Sequence, residues 1–125
     1  MIHLDTTYLI GLAVAGSAQA QRTDGWLSSG QTMAASALAW TEFLSGPVQP
    51  QEIALVEAVI EDRIVPFERG AAVFAAALFN QTGRRRGSRF DCLIAATAIL
   101  AQAQLATDNV GDFGPFQAHG LTLAR

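Results

Sequence analysis

Short apolar runs alternate with longer runs at helical spacing along the whole chain, and this alternation limits the architecture more than any other feature. A strand of three to five buried residues leaves both its faces and its backbone groups to be covered by neighbours. When each strand leads into a helix, the economical solution is a parallel sheet with helices packed on its faces. The expected strands are Ile2 to Asp5, Gln31 to Ala35, Ile64 to Pro66, Leu105 to Thr107 and, at the edge, Leu121 to Leu123. The expected fold class is α/β, a three-layer α/β/α sandwich around a mostly parallel sheet of four to five strands, formed by residues 1–125 as one domain.

Local signals place the helices. One follows the first strand from Thr6 to Ala15, and another spans Ala18 to Ser28 with Gly25 interrupting it. Ser36 is positioned to cap a helix that runs to Ser45, where Gly46-Pro47 stops it. Pro50 opens the next helix, to about Glu61, since its missing N–H is not needed in a first turn. From Glu68 to Thr82, Ala71, Phe74, Ala75 and Leu78 share one face, and Gly83 ends the run. The segment Phe90 to Ala103 is apolar nearly all round, which predicts a helix sandwiched in the core. Trp26, Trp40, Phe43, Phe74 and Phe79 are read as core packing rather than as platforms for bases.

Composition removes several classes of protein. Half of the residues are hydrophobic and 15% are charged, which excludes a disordered chain. No uncharged stretch is long and apolar enough for a membrane span, and Met1-Ile2-His3-Leu4-Asp5 lacks the basic start of a secretory signal. The single cysteine, Cys92, permits no intrachain disulfide and is read as a small hydrophobe, so a cytoplasmic home is expected. A net charge of −3 argues against the non-specific duplex binding of a basic domain. It leaves room for a nucleic-acid substrate, because carboxylates that hold metal ions count fully in the formal charge and the ions do not.

In open parallel sheets the ligand crevice lies beyond the carboxyl ends of the strands. Asp5 ends the first expected strand, and Asp108 follows the fourth. Glu42 comes from the helix after the second strand, while Asp91 stands in the first turn of the buried helix. Asp112 lies a few residues beyond Asp108, with Asn109 between them. Crowded carboxylates repel one another unless a cation sits among them, and an all-oxygen donor set suits Mg²⁺ or Mn²⁺ rather than zinc. His3 and His119 have no metal-ligand spacing and are read as structural or solvated.

Each acid also has a plainer reading. Asp5 is equally suited to cap the helix that follows it, and Asp91 to favour that helix's dipole. Glu42 lies off the stripe formed by Ala39, Trp40, Phe43 and Leu44 and reads as a surface residue. Asp108 and Asp112 fall in a turn, where such side chains bond their own backbone. Small neighbours of Asp91 at helical spacing, Ala95 and Ala98 with Gln102, leave room for a pocket above it. Arg84, Arg85, Arg86 and Arg89, just before Asp91, are either a solvated connector or contacts for nucleic-acid phosphates.

The order of motifs is that of a known family. Met1-Ile2-His3-Leu4-Asp5-Thr6, Thr41-Glu42-Phe43-Leu44, Phe90-Asp91-Cys92-Leu93-Ile94-Ala95-Ala96-Thr97-Ala98 and Ala106-Thr107-Asp108-Asn109-Val110-Gly111-Asp112-Phe113 together resemble the PIN-domain nucleases. The likeness is strongest to the VapC-type toxins of bacterial toxin–antitoxin pairs and spans nearly the whole chain. It implies Asp5, Glu42 and Asp91 as principal acids, with Asp112 and Asp108 favoured as the fourth contribution and Asn109 in support. It also implies metal-dependent RNA cleavage, a small antitoxin that plugs the site, and a toxin homodimer. The rival within the family is a PIN-type nuclease acting on DNA, or in RNA processing outside any toxin pair. A receiver-like Mg²⁺-binding signalling domain is a further alternative. Such domains rely on a lysine beside the phosphoryl group, and this chain has no lysine.

Overall fold

A computed structural model describes residues 1–125. The strands are β1 (Ile2–Leu4), β2 (Met33–Ser36), β3 (Ile64–Val65), β4 (Gln104–Ala106) and β5 (Thr122–Leu123). The helices are α1 (Thr6–Leu12), α2 (Ala18–Ser28), α3 (Ala37–Ser45), α4 (Pro50–Ile60), α5 (Arg69–Gln81), α6 (Arg89–Leu100) and α7 (Val110–Phe113), the last followed by a 3₁₀ turn over Gly114–His119. All five strands pair in parallel in the order β3-β2-β1-β4-β5. The chain therefore winds outward from β1 through β2 to β3 and then returns across the sheet to β4. Right-handed crossovers put α1 to α4 on one face and α5 and α6 on the other, giving the expected three layers.

Sequence signals act where they were read. Ser36 Oγ accepts from Ala39 N at 3.0 Å and caps α3, while Pro50 occupies the first turn of α4. Helix α6 is the central element of its layer: Cys92 and the unbroken run Ile94 to Ala98 are buried, and α5 packs along it. Cys92, Ile94, Ala95, Ala96 and Ala98 belong with Leu4, Tyr8, Leu9, Phe43, Leu105, Phe113 and Phe116 to one continuous core.

Differences from the sequence reading are local. Helix α1 ends at Leu12 rather than Ala15, and β4 begins one residue earlier, where Gln104 aligns with Ile2. Helix α6 stops at Leu100, and Gln102 turns the chain at a left-handed φ of 54°. The segment around Asp112, expected as a turn, is helical and leads into a 3₁₀ turn, each too short to show a period in sequence. Leu44, read as part of a buried stripe, is 42% exposed. Of the aromatic residues expected in the core, only Phe43 is fully buried; Trp26, Trp40, Phe74 and Phe79 are partly buried at the margin of the core.

Candidate metal and phosphodiester site

The winding direction reverses at the β1–β4 pair, so the gap beyond the carboxyl ends of these strands is the crevice that open α/β sheets use for ligands. Leu4 pairs with Ala106, and the next residues outward, Asp5 and Thr107, face one another. Thr107 Oγ1 donates to Asp5 Oδ2, while Asp5 Oδ1 accepts from Tyr8 N at 3.1 Å and from Thr7 Oγ1 at 2.6 Å. Asp5 thus caps α1 and stands in the crevice at once, so its two readings are compatible. It is 2% exposed, and this burial raises its pKa; the three hydrogen bonds work against the rise, and Asp108 adds to it.

Asp91 projects from the first turn of α6. Burial raises its pKa most, repulsion from Asp112 and Glu42 raises it further, Arg85 opposes this, and Asp5 adds a smaller increment. Asp112, Glu42 and Asp5, from three other segments, are therefore each within electrostatic reach of Asp91. Glu42 is exposed and accepts from Thr6 Oγ1 at 2.5 Å, which turns it toward the start of α1. Asp112 is exposed on α7.

Asp108 is differently placed. Its carboxylate accepts from Gln19 Nε2 at 2.5 Å and lies 4.0 Å from Arg22, which also donates to the Tyr8 hydroxyl. These ties reach it from α2, which approaches α1 closely at Gly11: a Cβ there would meet Gln19 at 2.6 Å. Asn109 contributes through its backbone, its N–H donating to Thr107 Oγ1 at 2.9 Å and its carbonyl accepting from Asp112 and Phe113. Gln19, Arg22, Thr6 and Thr107 were not read as site residues. Thr6 and Thr107 lie within the first and last of the family motifs, whereas nothing in the sequence marks Gln19 or Arg22.

No three His, Cys, Asp or Glu side chains close into a cluster that would hold a metal ion between them. The three hollows of the surface, of about 390 to 430 Å³, touch none of Asp5, Glu42, Asp91, Asp108 and Asp112. Ala95 and Ala98 are buried against neighbouring elements and form no pocket above Asp91. The site is an open shelf. Its donor chemistry nevertheless fits a hard divalent cation: the donors are oxygens, Asp5 is buried and Asp91 half-buried with raised pKa values, and the exposed Glu42 and Asp112 lie within electrostatic reach of Asp91.

The arginine-rich loop divides into three parts. Arg84 and Arg89 both lie over the Phe79 ring, at 5.0 and 4.5 Å from its centroid, and Arg84 also donates to Asn80. Arg85 turns inward, donating to the Asp112 carbonyl at 3.1 Å. Arg86 is exposed and joins none of these contacts. His3 is buried in β1 with neither ring nitrogen hydrogen-bonded.

A parallel α/β/α domain with carboxylates gathered at its topological switch point defines a class of acid-lined α/β domains. The PIN-domain family model matches residues 2–112, and the chain belongs to this family of nucleases. Among solved structures, FitAcB from Neisseria gonorrhoeae is similar over 99% of this chain and 97% of that one, with a TM-score of 0.72 and 22% identity. VapBC2 from Rickettsia felis, bound to a DNA fragment from its promoter, gives 99% and 98% coverage, a TM-score of 0.72 and 22% identity. VapBC-1 from nontypeable Haemophilus influenzae gives 99% and 97%, a TM-score of 0.68 and 22% identity. No curated protein sequence matches the chain. No helix is long and apolar enough to cross a membrane.

Proposed function

We propose that this PIN domain is a Mg²⁺- or Mn²⁺-dependent endoribonuclease and the toxin of a type II toxin–antitoxin pair, held inactive by a small cognate antitoxin and working as a homodimer in the cytoplasm. The observation that carries the catalytic reading is the coupling of Asp91 to Asp5, Glu42 and Asp112 at the switch point of the sheet. The similarity to FitAcB and to two VapBC assemblies supports the pairing with an antitoxin.

Asp5 is the most rigid donor, oriented by Thr7, Tyr8 and Thr107, and with Asp91 and Asp112 it would hold the cation. Asp108, tied to Gln19 and Arg22, supports the rim and contributes charge to Asp5. Glu42, steadied by Thr6, orients the attacking water. A bound divalent ion would supply neutralisation of the scissile phosphate and a more acidic water. The exposed Arg86, with Arg84 and Arg89 on the same loop, would hold the flanking backbone of a strand laid across the shelf.

The test is cleavage of defined single-stranded RNAs and matched DNAs with Mg²⁺, Mn²⁺ or chelator, comparing the native chain with Asp5→Asn and Asp91→Asn. RNA cutting that needs the ion and both acids is expected. Cutting retained in chelator overturns the metal mechanism, and preferential cutting of DNA overturns the ribonuclease assignment in favour of the rival PIN activity. A neighbouring small reading frame encoding a DNA-binding protein is expected for the toxin pairing.

A further inference from the structure

Arg85 differs from the other arginines of its loop in every contact. Gly83 and Gly87, at φ values of 85° and 80°, and Arg84, at 52°, fold residues 83–87 into a tight left-handed turn that sends this one side chain inward. Its Nε is buried with no hydrogen-bond partner, its guanidinium carbon lies 5.5 Å from the centroid of the fully buried Phe116, and its Nη2 donates to the carbonyl of Asp112. Phe116 in turn meets Phe113 edge to face at 6.0 Å. The backbone of Arg85 is anchored too, since its carbonyl accepts from both the amide and the hydroxyl of Ser88, at the start of α6. One residue thus bridges the segment that carries Asp112 and the turn that launches Asp91.

An arginine whose Nε is shut off from solvent and whose Nη2 is bonded to a backbone carbonyl is not free to swing out toward a polyanion, and an unbonded buried Nε is a cost that a solvated connector would avoid. We propose that Arg85 is a positioning residue for the acidic site, a cation fixed from within that holds the Asp112 segment against the start of α6 where Asp91 stands. Two acids that repel each other are kept adjacent by a third, oppositely charged group that is locked to one of them through the backbone. The inference deepens the proposed function, and its metal-binding arm rests on that reading.

The two consequences of removing Arg85 have opposite signs. Loss of a nearby positive charge alone strengthens the binding of a cation, whereas loss of the clamp separates two of its donors and weakens it. The test uses the full chain with Arg85→Gln and Arg85→Lys, measuring amide exchange and Mn²⁺ affinity. For Arg85→Gln, exchange over Val110–Phe113 is expected to rise about tenfold, with β1 and β4 unaffected, and Mn²⁺ is expected to bind about tenfold more weakly. Arg85→Lys keeps a cation able to reach the Asp112 carbonyl and is expected to stay within about threefold of the native chain in both. Unchanged exchange in α7, Mn²⁺ binding by Arg85→Gln as tight as native or tighter, or equal loss in both variants would overturn the proposal. If Arg85→Gln does not fold, Arg85→Lys still decides, because about tenfold faster α7 exchange with lysine present would also overturn it. A native chain that binds no Mn²⁺ sinks the metal reading instead, and the exchange comparison then decides the role of Arg85.

Discussion

The hydroxyl of Thr107 donates to the Asp5 carboxylate one register step beyond the Leu4–Ala106 pair, joining the ends of β1 and β4 across the crevice. The same oxygen accepts from Asn109 N, so the turn after β4 is shaped by the residue that orients the acid. Thr107→Val keeps the volume and removes both bonds. It is expected to cost about 1 to 3 kcal/mol in denaturant unfolding and to lower cleavage, with Thr107→Ser restoring most of each. Full activity in the valine variant would show that Asp5 needs no such support.

Asp91→Asn should separate stability from function. Burial and then repulsion from Asp112 and Glu42 raise the folded pKa above the unfolded one, so the folded state favours the protonated acid. That preference stabilises the fold below the unfolded pKa and is lost as pH rises through the folded value. At neutral pH in chelator the asparagine variant is therefore expected to melt higher than the native chain. The advantage should vanish near pH 4 and cleavage should be abolished. Equal melting temperatures at both pH values would argue against charge repulsion at this position.

His3 gives the opposite pH dependence. Burial, with a smaller effect of the N-terminal ammonium, lowers its pKa from 6.5 to about 4, and neither nitrogen has a partner. The unfolded chain binds a proton between these values that the folded chain refuses, so stability is expected to fall as pH drops from about 6.5 to about 4, by about 3 kcal/mol. His3→Leu should flatten that limb of a pH-dependent unfolding series. A native chain equally stable at pH 7 and pH 4.5 would contradict the assignment.

Ser36 caps the helix that carries Glu42 and is itself 1% exposed. Ser36→Ala is expected to cost about 1 kcal/mol by thermal or urea unfolding. Ser36→Asn or Ser36→Thr should retain more of the stability than alanine does.

Arg86 has no internal partner, whereas Arg84, Arg85 and Arg89 do. Arg86→Gln is expected to weaken RNA binding uniformly across sequences and to reduce the slope of log affinity against log salt by about 0.7, the release of one phosphate counterion. An unchanged slope would identify Arg86 as a solvated connector.

What the amino-acid order determined by itself was whatever depends on near neighbours. Strand-to-helix alternation, the Ser36 cap, Pro50 in a first turn and the all-round apolar character of Ile94 to Ala98 are local properties, and each element formed within a few residues of its expected bounds. Asp5 and Asp91 were legible as site candidates for the same reason, standing at the end of a strand and the start of a buried helix. Tertiary structure decided the rest, because it depends on which distant segments meet. Gln19 and Arg22 reach Asp108 only because Gly11 admits α2 against α1, and no period in the sequence encodes that approach. Four similar arginines acquire different roles because one points toward Phe116 and two lie on Phe79, a division made by the backbone turn and by packing. Secondary structure answers to local periodicity, whereas the partner of a charged side chain is settled by long-range packing.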